Sequence, residues 1–236
     1  MARRTRSGAH GDLFAPVDWD RARWDGVPPE DPAGARPSTP EDEARFIERL
    51  VARDEQAFNA LVRAYQTRVF ALVVRMLHDR AEAEDLAQEV FVQVFKAIGT
   101  FRGDSKLSTW IYRIAINLCK NRMKYRAVRQ EGKQDDIDEM SERMGGGEGK
   151  RPPQGALARP DEVMQGRQLE SIVRDAILQI EPEFRECLVL RDMEDLSYEE
   201  IEAITGLPAG TVKSRIHRAR AQLKELVERA LGEKIT

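Results

Sequence analysis

Apolar residues recur along this chain at spacings of three and four, the period of helices with one buried face. Phe58, Leu61, Val62 and Tyr65 form one such stripe, and Val69, Leu72, Val73 and Met76 form another in the next segment. Leu86, Val90, Phe91, Val94 and Phe95 make a third. A fourth helix is predicted from Ser108 or Thr109, burying Ile111, Ile114, Ala115 and Leu118. Further on, Leu169, Ile172, Ile177 and Ile180 share one helix, Phe184, Cys187, Leu188 and Leu190 the next, and Val212, Ile216, Ala219, Leu223 and Leu226 a last one. The expectation is an all-α fold of two small helical domains, residues 41–129 and 161–232, joined by a flexible linker.

Segments without this period set the boundaries. Residues 1–40 mix basic residues with Asp-Pro, Pro-Pro and Ser-Thr-Pro, so a disordered extension is expected, with Phe14, Trp19 and Trp24 as its apolar points. Residues 130–160 turn acidic, then Gly-rich and Pro-rich, the composition of a linker. Such a segment has a random-coil span of roughly 30 Å and an extended limit of roughly 100 Å. Residues 233–236 are a short tail.

Local chemistry sharpens the C-terminal block. Ser197 with Glu200 three residues on is a capping box, which starts a helix near Tyr198. Gly206 suits a left-handed C-cap, and Pro208 the first turn of a new helix. Two short helices around a tight turn form a helix-turn-helix. On the second helix, the arc opposite the apolar stripe carries Gly210, Lys213, Ser214, His217, Arg218 and Ala221. Small residues there allow close approach, and the polar ones can contact phosphates or purine edges in a major groove.

Composition narrows the chemistry. Net charge over the 236 residues is only -3, so affinity for nucleic acid must come from local patches. One is evident: from Arg102 to Arg129, eight Lys or Arg residues face the single acid Asp104. Arg113, Asn117, Lys120 and Lys124 fall on one side of the predicted helix, a stripe that can follow a phosphate backbone. Asp85, Gln88, Glu89 and Val92 make a mostly polar stripe on the preceding helix. Cys119 and Cys187 read as small core residues, consistent with a reducing cytoplasm. His10, His78 and His217 have no metal-site spacing, so neither metal nor cofactor is expected. The start, MARRTRSGAH, lacks the apolar run of a secretory signal, and the apolar segment at residues 69–77 is too short to span a bilayer. No glycine loop for phosphates and no nucleophile elbow is present, so an enzyme is not expected.

Three stretches carry a family resemblance: AEDLAQEVFVQVFKA, FRGDSKLSTWIYRIAINLCKN and LSYEEIEAITGLPAGTVKSRIHRARAQL. They resemble the bacterial sigma-70 family, in the extracytoplasmic-function (ECF) class that keeps only conserved regions 2 and 4. The likeness spans about residues 41–129 and 160–232; the long N-terminal extension and the long linker depart from it. It implies a cytoplasmic initiation factor, of the kind used in stress responses, that binds core RNA polymerase and brings it to promoters. Asp85, Gln88, Glu89 and Val92 would dock on the clamp helices of the beta-prime subunit, with the beta subunit as a further contact. The loop and helix carrying Phe101, Ser105, Lys106, Arg113, Asn117, Lys120 and Lys124 would open the -10 element and hold an unstacked base. Lys213, Ser214, His217 and Arg218 would contact the -35 element, flanked by Arg191, Tyr198 and Glu199. Arg215 and Arg220 would touch phosphate or nothing. Trp110 and Tyr112 could stack on exposed bases, but Trp110 beside Ile111 and Ile114 suits a core role at least equally well.

The resemblance also implies an anti-sigma factor, often membrane-associated, that clamps both domains. Two other functions compete. A sigma mimic that titrates an antagonist should lose the DNA-facing cations, yet Arg113, Lys120, Lys213 and Arg218 are present. A conventional helix-turn-helix regulator leaves the basic region from Arg102 to Arg129 unexplained.

Overall fold

The computed structural model describes residues 39–77, 79–134 and 160–232, and these are helical with no strand among them. Most of the expected disordered extension, with Phe14, Trp19 and Trp24, most of the expected linker, the tail at 233–236, and His10 and His78 lie outside the described residues.

Helix α1 spans Pro40–Val51, with Thr39 Oγ1 accepting from the Asp42 amide at 3.1 Å. Helix α2, Glu55–Met76, is one continuous rod where the sequence pattern suggested two segments. Nothing between Tyr65 and Val69 breaks it, since Gln66, Thr67 and Arg68 all tolerate helix. Asp54 caps α2 through the amides of Gln56 and Ala57, and Asp79 caps α3, Arg80–Ala97, through those of Ala81 and Glu82. A 3-10 turn over Ile98–Thr100 leads into the loop where Gly103 holds a φ of 76°, a bend open to glycine at no steric cost.

Helix α4, Leu107–Gln134, begins one residue before the expected start and runs five residues beyond the expected domain end. Its first amide, Leu107 N, donates to Glu43 Oε1 of α1 at 3.3 Å, a cap supplied from far along the chain. Its buried face is wider than the sequence stripe: Ile111, Tyr112, Ala115, Ile116 and Cys119 are buried, while Ile114 and Leu118 are half-buried. The cause is that α4 packs on α2 and α3 along one side and on a helix of the C-terminal domain along another.

That domain comprises α5 (Pro160–Gln179), α6 (Pro182–Leu188), α7 (Tyr198–Thr205) and α8 (Ala209–Leu231). A single π turn over Val189–Met193 follows α6. Leu169, expected in the buried stripe of α5, is 47% exposed, and the stripe is carried lower down by Ala176, Ile177 and Ile180.

The two domains share one hydrophobic core. A continuous cluster joins Leu61, Val69, Phe91 and Ile116 of the first with Ile177, Cys187, Leu190, Ile201 and Val212 of the second. Ile180, Phe184, Leu188 and Ala219 form a separate cluster where α6 meets α8.

Candidate nucleic-acid interface

The helix-turn-helix is built by its caps. Ser197 Oγ accepts from the Glu200 amide at 3.2 Å, and the Ser197 amide donates to Glu200 Oε2 at 2.9 Å, so each residue satisfies an orphan group of the other. Gly206 ends α7 in the left-handed region at φ 73°, its amide donating to the Glu202 carbonyl at 2.8 Å. Pro208 serves as the N-cap of α8, one position before the expected helical turn. Val212, Ile216 and Ala219 then turn inward and are buried. Gly210, Lys213, Ser214, His217, Arg218 and Ala221 all lie exposed on the outward arc. A Cβ at Gly210 would meet nothing within 4 Å, so the start of this face is open.

Cations beside that arc differ in availability. Arg215 Nη2 is bonded to Glu183 at 2.7 Å, and Arg220 Nε to Asp192 at 2.9 Å, where the sequence suggested phosphate contacts or none. The carboxylates come from α6 and the π turn, a placement that spacing within α8 does not reveal. Arg191 donates to the Leu196 carbonyl at 2.6 Å and lies 5.3 Å from the Tyr198 ring, so these two expected flanking residues stack together. Hydrogen bonds from its own backbone amide and from Ser197 lower the Glu199 carboxyl below its ordinary range. Arg218 sits 5.9 Å from the Phe184 ring centroid with its outer edge in solvent.

On α3, Asp85 and Gln88 are exposed, Val92 is half-buried, and the Glu89 carboxylate pairs with Arg122 at 3.3 Å. Glu82 extends this ridge: it holds Arg126 at 2.7 Å and Arg122 at 3.5 Å. A cleft of about 500 Å³ between α3 and α4 is lined by Asp79, Glu82, Asp85, Arg122, Tyr125, Arg126 and Arg129. Sequence reasoning missed Glu82, Arg122 and Arg126. The spacing of four between the arginines placed them on one face, but their partners lie 33 to 44 residues away.

Along α4, Asn117 and Lys124 are exposed, and Arg113 and Lys120 half-buried. In the preceding loop, Ser105 is half-buried and the Phe101 ring lies 5.3 Å from that of Trp110. Phe101 thus anchors the loop, and Trp110 packs against the core as expected. Two of the expected DNA-contacting cations are already paired. Lys106 Nζ is 2.9 Å from Glu200 of α7, a contact that raises the ammonium pKa above its ordinary value. Lys120 Nζ is 2.8 Å from Glu186 Oε1 of α6, though off the hydrogen-bonding direction, so charge joins them rather than a directed bond. Burial pushes the Glu186 carboxyl above its ordinary range against the pull of Lys120. Beside them, Glu194 accepts from Tyr112 Oη at 3.1 Å and from Arg75 Nη1 at 3.3 Å. Burial, and then the Glu194 charge, raise the Tyr112 phenol well above its usual range.

Cys119 and Cys187 are free and buried, as their apolar settings predicted. Among the described residues no group of His, Cys, Asp and Glu could hold a metal ion, and no helix is long and apolar enough to cross a membrane.

Comparison with known proteins matches this architecture. The family models for Sigma-70 region 2 and Sigma-70, region 4 fit residues 61–129 and 170–223. The RNA polymerase sigma-H factor of Pseudomonas aeruginosa is 38% identical over 195 residues, covering 83% of this chain and 98% of that relative. The ECF RNA polymerase sigma-E factor of Escherichia coli (strain K12) is 37% identical over 183 residues, 78% of this chain and 93% of the relative. Among solved structures, CnrH in complex with the cytosolic domain of CnrY shares the fold at TM-score 0.55 and 19% identity, over 79% of this chain and 97% of that one. The sigma factor RpoE in complex with the anti-sigma factor NepR from Bartonella quintana does so at 0.51 and 23%, over 72% and 96%. With regions 2 and 4 matched in order on the two helical domains, the chain belongs to the sigma-70 family, in its extracytoplasmic-function class, whose members work with RNA polymerase at promoters.

Proposed function

We propose that this sigma factor divides its work among three surfaces. The exposed arc of α8, with Lys213, Ser214, His217 and Arg218, reads the -35 element in the major groove, flanked by Arg191, Tyr198 and Glu199. The α4 stripe of Arg113, Asn117, Lys120 and Lys124, with Ser105 and Lys106 before it, tracks the -10 region. Asn117 offers the donor and acceptor that a base edge needs. Phe101 acts indirectly, by fixing the loop on Trp110. The α3 ridge of Asp85, Gln88, Glu89 and Val92 docks on the beta-prime clamp helices, and the beta subunit supplies a further contact.

The observation that carries this reading is the coincidence on α8: every polar residue placed on the DNA arc by helical spacing is exposed, while on the stripe opposite Val212, Ile216 and Ala219 are buried and Leu223 and Leu226 half-buried. The factor performs no chemistry of its own in this scheme; polymerase makes the RNA, in the cytoplasm. RpoE of Bartonella quintana, which shares this fold, was solved bound to the anti-sigma factor NepR, and an anti-sigma factor gripping both domains fits this chain. Reconstituted run-off transcription with bacterial core polymerase on genomic promoter fragments tests docking, recognition and melting together. Defined starts that depend on the factor support the assignment, and unchanged starts reject it.

A further inference from the structure

We propose that the chain by itself holds a self-masked state, in which Glu186 and Glu200 of the C-terminal domain occupy Lys120 and Lys106 in the place of DNA phosphate. This rests on the DNA role given above to those two lysines.

Three features carry it. First, the pairing is between domains and is charge-complementary in the sense DNA would use: each lysine that would meet a phosphate oxygen meets a carboxylate oxygen, at 2.8 Å and 2.9 Å. Second, the arrangement is locked by contacts with no surface role. Glu194, its side chain 5% exposed, bridges Arg75 and Tyr112. Arg185, 7% exposed, donates to the Met76 carbonyl at the end of α2. Third, the closed form covers only part of the working surface. Asp85 and Gln88 on the proposed docking ridge and the whole α8 arc stay open, so core polymerase can engage a factor whose Lys106 and Lys120 are still paired with carboxylates.

The energetics suit an exchangeable latch. With Glu186 buried and Lys120 half-buried, the pair gains little beyond the desolvation of the carboxylate, so separating the domains returns Glu186 to water while Lys120 gains phosphate. Pairing these two lysines with carboxylates before docking also suppresses attachment to unrelated DNA, since the phosphate term carries most non-specific affinity.

The test uses the full chain at pH 8 with two readouts. Cys119 and Cys187 are both 0% exposed and both feel the Glu186 charge, so their reaction with Ellman's reagent reports opening. Fluorescence anisotropy with a fluorescein-labelled dT20 reports access to the cations. The double variant E186Q/E200Q, with circular dichroism confirming its fold, should react about tenfold faster at its thiols and bind dT20 about tenfold tighter than the parent, a change of about 1.4 kcal/mol in the binding. The charge-matched control E84Q/E225Q should change neither. Glu200→Gln alone, which keeps the capping geometry, takes the place of the double variant if that one melts early. Thiols that react in the parent as fast as in the denatured chain overturn the closed state and leave the three-surface assignment standing. Variant thiols that open while dT20 binding is unchanged overturn the masking and place the fault in the DNA role of Lys106 and Lys120.

Discussion

Arg185 donates from Nη1 to the Met76 carbonyl at 2.8 Å and from Nε and Nη2 to the Ile180 carbonyl at 3.2 Å and 3.0 Å. Met76 ends α2 and Ile180 follows α5, so one guanidinium closes helix ends in both domains, where the helix dipoles favour a cation. Burial lowers its pKa, yet it stays charged at any working pH. Arg185→Met keeps the bulk and orphans both carbonyls, and should cost about 2–4 kcal/mol. Urea unfolding followed by circular dichroism measures it; a loss under about 0.5 kcal/mol, the range of ordinary surface changes, would show the bonds to be dispensable.

The capping box gives a local counterpart. Ser197→Ala removes the acceptor for the Glu200 amide and should lower stability by about 1 kcal/mol, whereas Ser197→Asp should retain most of it. Thermal unfolding of the two variants side by side checks the order.

On α8 the two proposed kinds of DNA contact should separate by their salt behaviour. Arg218→Ala should cost roughly 1–3 kcal/mol on a cognate -35 duplex and relax preference at one base. Lys213→Ala, if its ammonium meets phosphate, should weaken all sequences alike and reduce the salt slope by about one. Titrations of the holoenzyme on cognate and scrambled duplexes at several salt concentrations distinguish them.

Charge reversal on the proposed docking ridge should spare the fold. Asp85 is exposed, so Asp85→Lys should leave the unfolding free energy within about 0.5 kcal/mol. Affinity for core polymerase should nevertheless fall about tenfold or more, about 1.4 kcal/mol. Glu89→Lys additionally loses its Arg122 partner and should also destabilise slightly. An unchanged titration with Asp85→Lys would remove α3 from the docking surface.

Alkaline pH should weaken the shared core. Burial pushes the Cys187 thiol up to about 11 and Cys119 up to about 12, from an ordinary value of 9.0. The folded state therefore keeps protons that the unfolded chain releases: the contribution is fully present below pH 9.0 and is lost as pH rises towards these raised values. Unfolding free energies at pH 8 and 10.5 should fall more for the parent than for Cys187→Ala.

Much of the site was legible because the DNA-reading helix is a surface helix with one neighbour side. There the period of 3.6 alone separates Val212, Ile216 and Ala219 from Lys213, Ser214, His217 and Arg218, and the caps at Ser197 and Gly206 are settled within a few residues. Spacing also put Asp85, Gln88, Glu89 and Val92 on one face of α3. Tertiary structure alone decided which cations are free. Lys120 meets Glu186, Lys106 meets Glu200 and Arg220 meets Asp192 across separations that no local pattern encodes. The same holds for α4, where Tyr112 and Ile116 lie outside the predicted stripe of Ile111, Ile114, Ala115 and Leu118 yet are buried, because a second domain packs on that side. A helix's own residues specify where its faces lie; which face meets carboxylate, core or solvent depends on the elements that pack around it, and those are brought together only by folding.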